Sequence, residues 1–162
     1  MWRAFRYALE VGADRLVYCE DDVEPSRGAV QRILRTPIDD DAAFVDFHDT
    51  SRLRNVTRPG LYSLRLGRTS HPYWGTQCMA FPRRTLEWLV DRDPGSVWQQ
   101  GLPHCADLAL GLLLASSPWP RYVAHLPCLV RHVGSVSAAH RGVSLGPTRQ
   151  PTHFVEADAG VR

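Results

Sequence analysis

Apolar positions along the chain repeat with two spacings, one typical of helices and one typical of strands. Apolar residues three or four positions apart predict helices, the last of which is apolar on almost every side and should be buried: 2–11, 26–35, 83–91 and 104–115. Short apolar runs between turn-forming residues predict strands: 16–19, 42–47, 61–66, 73–81, 121–126 and 128–133. Helices and strands alternate early and strands cluster later, which predicts an α/β domain with a mixed sheet.

Turn and capping residues indicate where the first two helices begin and end. Gly12 is positioned to end the first helix, and Ser26 is a candidate N-cap for the second. Within the second helix, the helical spacing predicts that Val30, Ile33 and Leu34 face inward.

The length and composition fit a single globular domain. The chain has 162 residues, of which 44% are hydrophobic and 22% are charged. A chain of this size can bury a sizeable core. We expect the domain to span residues 1–140. Residues 141–162 contain Gly, Pro and Thr with little apolar periodicity, which predicts a loosely ordered tail.

Charge, hydropathy and cysteine spacing argue against several classes of protein. The net charge is +2 and the 19 basic residues, all arginine, are scattered, so we expect no nucleic-acid-binding surface. No apolar run approaches the roughly 18 residues of a membrane span, so the chain is expected to be cytoplasmic and not transmembrane. The four cysteines show neither a CxxC pair nor a disulfide framework and are expected to be buried thiols: Cys19, Cys78, Cys105 and Cys128.

Three consecutive acids follow the short apolar run 16–19, which is expected to be a buried strand. We call Glu20, Asp21 and Asp22 the acidic turn. Clustered carboxylates repel one another unless water or a cation offsets the repulsion. The turn is therefore either a solvated connection or a site for a hard cation such as Mg²⁺ or Mn²⁺, which also leaves positions open for phosphate.

Residues 12–22 begin with Gly12-Ala13-Asp14 and end with the acidic turn, and this pattern resembles the acidic metal motif of GT-A-fold glycosyltransferases. The resemblance implies that Asp22 binds Mn²⁺ or Mg²⁺, which holds the diphosphate of a nucleotide-sugar donor. It also implies that Glu20 and Asp21 orient ribose or sugar hydroxyls.

The segment from Tyr73 through Trp74 and Gly75 to Gln77 resembles the strand that floors the sugar pocket in many of these enzymes. The resemblance implies that Trp74 stacks on the sugar and that Gly75 lets it approach the backbone. A bulged strand with core aromatics is the other interpretation.

Asp107 follows Pro103 and His104 at the start of the apolar helix. In inverting GT-A enzymes a carboxylate at this point often removes the proton of the acceptor hydroxyl, so the resemblance implies a general base. The other interpretation is a carboxylate that stabilises the helix N-terminus.

Residues 126–137 resemble the closing strand and histidine-containing turn of the family. The resemblance implies that His132 is a further metal or diphosphate ligand and that Ser135 holds phosphate oxygens. An imidazole ligand favours Mn²⁺. A structural histidine at a strand end is the alternative. Arg131 should point away from His132, because side chains alternate along a strand.

The resemblance implies a partial GT-A-like three-layer sandwich that lacks the N-terminal nucleoside-binding half. A sheet without its first strands has an exposed edge, and we expect a second copy or a partner protein to cover it.

Three functions are compatible with these patterns. The first is a hexosyl- or N-acetylhexosaminyl-type transferase that uses a nucleotide-sugar donor, with UDP-sugar favoured, and an unknown acceptor hydroxyl. The second is a non-catalytic binding module of the same fold. The third is a metal-dependent phosphohydrolase that combines the acidic turn with His48 and Asp49.

Overall fold

The computed structural model describes residues 1–48, 52–53, 55–67, 73, 76–92, 106–133 and 154, with the backbone alone at 106–108. These residues include four helices: α1 (Trp2–Glu10), α2 (Ala29–Arg35), α3 (Arg83–Val90) and α4 (Ala106–Ala115). The strands are β1 (Arg15–Cys19), β2 (Val23–Pro25), β3 (Val45–Asp46), β4 (Gly60–Arg65), β5 (Cys78–Pro82), β6 (Arg121–Leu126) and β7 (Val130–His132).

The strands form two sheets. Five of them form a mixed sheet in the order β1-β5-β3-β6-β4, in which only the β3–β6 pair is parallel. The other two, β2 and β7, pair antiparallel in a two-stranded ribbon. The expected α/β class with a mixed sheet is therefore confirmed, whereas β2 was not predicted.

Helices cover both faces of the five-stranded sheet because its strands alternate between two apolar clusters. On β5, Met79 and Phe81 point into the larger cluster, which also contains buried residues of α1, α3 and α4. Cys78 and Ala80 point into the smaller cluster, together with Ile33 of α2. Such layering is common to many α/β proteins, so the specific GT-A arrangement stays a prediction.

Strand β1 corrects one expectation. It was expected to be buried, but Leu16, Val17 and Tyr18 are only half-buried. The reason is that β1 pairs with β5 alone and is an edge of the sheet as far as the described residues show.

The N-terminus of α2 corrects a second expectation. Ser26 is not the N-cap, because the helix begins after Gly28, whose left-handed φ of 70° forms the cap. Ser26 is buried instead, and its Oγ accepts a hydrogen bond of 3.0 Å from Arg32 Nη2.

The predicted inner face of α2 is also partly wrong. Ile33 is buried as expected, but Val30 and Leu34 are exposed. The helix has only seven residues, and it buries the narrow stripe formed by Ala29 and Ile33, which lie one turn apart. Val30 and Leu34 lie outside this single line of contact and are therefore exposed to solvent.

The remaining elements agree with the sequence to different degrees. Helices α1 and α3 and strand β4 lie within one residue of their predicted bounds, and Gly12 follows α1 with a φ of 72°. The strand expected over 73–81 is described as a strand only from Cys78. The predicted tail lies outside the described residues except for Phe154, which forms a parallel β-bridge to Cys128. No helix of the described part is long and apolar enough to cross a membrane.

Candidate functional site

The acidic turn lies at the carboxyl end of β1, and its first residue is held by the main sheet. Glu20 continues the β1–β5 ladder, since its N–H donates to the Gln77 carbonyl over 2.9 Å. The buried Thr76 hydroxyl donates a hydrogen bond to Glu20 Oε1. These two contacts, one from the backbone and one from the side chain, fix the direction of the Glu20 carboxylate.

The ribbon brings Asp22 and His132 together. Val23 of β2 is directly opposite His132 of β7, and the Val133 N–H donates to the Asp22 carbonyl over 2.9 Å. In this register, His132 Nε2 lies 2.9 Å from Asp22 Oδ2. The imidazole is buried, whereas 44% of the Asp22 side chain is exposed. The two residues that the resemblance implied as metal ligands are therefore neighbours.

The second carboxylate oxygen of Asp22 differs from the first in its contacts. Asp22 Oδ1 is buried and has no hydrogen-bond partner within the described part of the chain. A buried acceptor without a partner costs about 1–3 kcal/mol. A water or a cation at this atom would remove that cost.

A divalent cation fits the donor atoms of this pair. Two ligand atoms about 2.1 Å from one cation, and at right angles to each other, are about 3.0 Å apart. The 2.9 Å between Asp22 Oδ2 and His132 Nε2 is close to that separation. However, the described residues contain no group of three or more His, Cys, Asp or Glu side chains that would hold a metal. The pair therefore suits a cation that arrives with phosphate and water ligands.

The electrostatic potential near the acidic turn is negative. Burial raises the pKa of the Tyr18 phenol, and the carboxylates of Glu20 and Asp21 raise it further. On the ribbon, Arg131 pairs with Glu24 over 2.8 Å. Arg131 is partly exposed and His132 is buried, which agrees with the predicted alternation along β7. A surface depression lies beside them, lined by Glu24, Arg131, His132 and Val133.

The other predicted site residues are placed less completely. Asp107 lies in the first turn of α4, where the backbone alone is described. Trp74, Gly75 and Ser135 lie outside the described residues, as do His104 and Asp49.

Tyr73 connects the predicted sugar-floor segment with α4. Its side chain is buried, and its ring centroid lies 5.0 Å from that of Phe44. A Cβ added at Gly111, one turn after Asp107, would lie 2.9 Å from Tyr73 Cβ. Helix α4 thus packs directly against the start of the segment that leads to Trp74 and Gly75.

Sequence patterns missed a buried carboxylate at the end of β3. Asp46 is buried and its Oδ1 accepts a 2.9 Å hydrogen bond from the His48 N–H. The available signal was an acid within the apolar run 42–47. Strand β5 separates β3 from β1, and two strand spacings amount to about 10 Å. The phosphohydrolase hypothesis needs the two strand ends to meet, and this topology does not support it.

Sequence patterns also missed a pair of thiols. Cys19 and Cys78 face each other across β1 and β5, with 3.0 Å between the sulfur atoms. Cys19 is exposed, which corrects the expectation of buried thiols, whereas Cys78 and Cys128 are buried as expected. No local motif signals a contact between residues so far apart in the sequence.

Comparison with protein-family models, curated proteins and solved structures finds no match to this chain. The resemblance to GT-A glycosyltransferases therefore rests on the motifs quoted above.

Proposed function

We propose that the protein is a metal-dependent glycosyltransferase that moves a sugar from a nucleotide-diphosphate donor to an acceptor hydroxyl with inversion. The observation that supports this proposal is the contact of 2.9 Å between Asp22 and His132. The two residues are 110 positions apart in sequence and are brought together by the β2–β7 ribbon.

Asp22 and His132 would hold the divalent cation, Mn²⁺ or Mg²⁺. When bound to the donor diphosphate, the cation supplies Lewis-acid stabilisation of the nucleotide leaving group. Glu20, directed by Thr76, accepts a hydrogen bond from a ribose or sugar hydroxyl, and the exposed Asp21 does the same from the solvent side. The donor we favour is a UDP-sugar.

Asp107 is the proposed general base, which takes the proton of the acceptor hydroxyl as that oxygen attacks the anomeric carbon. Trp74 and Gly75 form the proposed floor under the sugar, and Ser135 donates to phosphate oxygens. The contact between α4 and Tyr73 supports this grouping, because it joins the helix that carries Asp107 to the segment that carries Trp74 and Gly75.

A non-catalytic binding module is the second candidate. The observation that favours it is that the described residues offer only a pair of metal donors at the acidic turn. The half-buried edge strand β1 also leaves room for a second copy or a partner protein.

Nucleotide-sugar hydrolysis or transfer in the presence of metal distinguishes the transferase from the module. Sedimentation as a clean monomer at micromolar concentration would remove the homodimer. A reducing cytoplasm remains the proposed location, since the thiols of Cys19 and Cys78 suit it.

Thermal unfolding with metal and nucleotide tests the proposal. We expect UDP or GDP together with Mn²⁺ to raise the melting temperature, whereas metal alone does little because two protein ligands bind it weakly. A ligand at about 100 times its Kd adds about 2.7 kcal/mol to the free energy of unfolding.

The variant Asp22→Ala should lose this stabilisation. Asp40→Ala, which removes an exposed carboxylate outside the site, is the matched control and should keep it. An unchanged melting temperature with every metal and nucleotide pair would contradict the donor site and favour the binding module.

A further inference from the structure

The two thiols at the root of the acidic turn are held in register by the β1–β5 ladder. Cys19 ends β1, Cys78 begins β5, and they are direct partners in the antiparallel pairing. Glu20 and Gln77 form a hydrogen-bonded pair, since the Glu20 N–H donates to the Gln77 carbonyl. Antiparallel ladders alternate, so Cys19 and Cys78 are a non-hydrogen-bonded pair, the kind in which facing side chains lie closest.

This register suits a disulfide. Non-hydrogen-bonded partners have Cα atoms about 4.5 Å apart, which lies within the range that a disulfide spans. The sulfur atoms are already 3.0 Å apart, so closing the bond needs only a small movement of the side chains. No backbone rearrangement is required.

The two thiols differ in access to solvent. Cys19 is exposed and can meet a small oxidant, whereas Cys78 is buried beneath it. The hydrogen bond with Cys78 lowers the pKa of Cys19, although partial burial opposes the shift. The same hydrogen bond and burial raise the pKa of Cys78. Cys19 is therefore the attacking thiolate, and Cys78 is the resolving thiol.

We propose that Cys19 and Cys78 are a redox modification site that closes to a reversible disulfide when the protein meets a peroxide. The Cys19 thiolate attacks one peroxide oxygen, the O–O bond breaks, and hydroxide leaves and takes a proton to become water. The resulting sulfenic acid is attacked by the Cys78 sulfur. The S–S bond forms as the S–O bond breaks, and the departing oxygen leaves as a second water with the Cys78 proton. Two thiols lose two electrons and the peroxide gains them; a dithiol reductant reverses the change.

The disulfide clamps the base of the acidic turn. The disulfide joins β1 to β5, which is the one strand described beside β1. The linked residues lie next to the hydrogen-bonded pair of Glu20 and Gln77. Opening of the ladder at this end becomes rarer in the oxidised protein. The proposal concerns the two thiols and the ladder, and it holds whether or not the protein is a glycosyltransferase.

Peptide mapping of the full chain tests the linkage. The reduced protein is treated with hydrogen peroxide, remaining thiols are alkylated, and the protein is digested with trypsin. Because the chain has no lysine, trypsin cuts it only after arginine. Each cysteine then falls in its own peptide: 16–27, 69–83, 93–121 and 122–131. We expect peptides 16–27 and 69–83 to be joined, with the loss of two hydrogen atoms, and to separate after dithiothreitol. The other two peptides should be alkylated.

Variants make the assignment specific. Cys19→Ser and Cys78→Ser should each abolish the linked peptide, whereas Cys128→Ser, at a buried thiol outside the pair, should retain it. Alkylation of both cysteines after peroxide treatment, a link to another peptide, or over-oxidation of Cys19 with Cys78 left as a thiol would each overturn the proposal.

Amide hydrogen exchange tests the clamp on the wild-type protein, without relying on variants that fold poorly. Exchange of the Glu20 amide should slow by at least about tenfold in the oxidised protein, because its hydrogen bond to Gln77 lies beside the new bond. The Phe5 amide, which donates to the carbonyl of the N-cap residue Met1, serves as the internal reference. Equal Glu20 exchange rates in the linked and reduced proteins would overturn the clamp.

Discussion

The five-stranded sheet and the two-stranded ribbon support the candidate site in different ways. The sheet lies between two apolar clusters and holds Glu20 through the ladder that Cys78 begins. The ribbon has three residues in each strand and holds Asp22 against His132. A ribbon this small is not stable by itself.

Backbone contacts attach the ribbon to the sheet. The Leu129 N–H, just before β7, donates to the Phe47 carbonyl, just after β3, over 2.9 Å. The Ser26 N–H continues the β2–β7 ladder by donating to the same Leu129 over 2.8 Å. Buried Leu129 and Val130 add apolar contacts in the smaller cluster. The proposed metal ligands Asp22 and His132 therefore depend on a ribbon whose position is set by the larger sheet. Damage to the sheet should therefore affect the whole protein, and damage to the ribbon should remain local.

The largest effect is expected from Phe44→Ala in the core of the sheet. The Phe44 ring is fully buried and stacks on Tyr122 at 5.1 Å between centroids. Removing it should lower the free energy of unfolding by about 3–5 kcal/mol. Urea denaturation measures the change, and Tyr7→Ala, at an exposed aromatic, is the control with a change near zero. A loss below about 1 kcal/mol would mean that this cluster does not carry the fold.

A smaller effect is expected from Gly111→Ala, because the added methyl group would push α4 away from Tyr73. The new methyl group would lie 2.9 Å from Tyr73 Cβ and 3.3 Å from its backbone N and O atoms. We expect a loss of about 1–3 kcal/mol, despite the higher helix propensity of alanine. At Gly60 the added Cβ would meet Tyr62 at 3.5 Å, an ordinary contact, so Gly60→Ala is the matched control. Equal thermal stability of both variants would contradict close packing between α4 and Tyr73.

A ribbon substitution should have a local effect. Glu24 pairs with Arg131 directly across the ribbon, and both side chains are about half exposed. Such pairs contribute at most about 1 kcal/mol, so Glu24→Ala should change the free energy of unfolding by that amount or less. A double-mutant cycle with Arg131→Ala measures the coupling. Coupling well above this value would show that the ribbon stabilises the sheet, rather than depending on it.

The smallest effect is expected from pH at the junction between sheet and ribbon. His125 of β6 lies beside the Phe47 ring, and its Nδ1 is 2.8 Å from the Pro127 carbonyl. Burial lowers the pKa of His125, although the Pro127 hydrogen bond opposes the shift. As the pH falls below about 6.5, the unfolded chain binds a proton that the folded chain does not, so stability falls.

Unfolding of wild type and His125→Gln at about pH 7.5 and about pH 5.5 isolates this contribution, because the other histidines are common to both. The wild type should lose more stability than the variant on going to the lower pH. An equal loss in both proteins would assign the pH dependence to other groups.

The sequence alone determined the elements whose signals are local. The spacing of apolar residues was sufficient to predict α1, α3 and β4 nearly to the residue, as well as a mixed α/β sheet. The acids at the end of β1 and the histidine at the end of β7 could be selected as candidates, because a run of carboxylates and a motif resemblance are both readable along the chain.

Tertiary structure alone decided what depends on which segments are neighbours. It placed β1 at an edge and so left it half-buried, and it exposed two apolar residues of α2 that the helical period had assigned to the core. It also paired Asp22 with His132 and Cys19 with Cys78. Strand pairing and register set these contacts. Pairing and register in turn arise from packing of the whole chain rather than from the residues near each position.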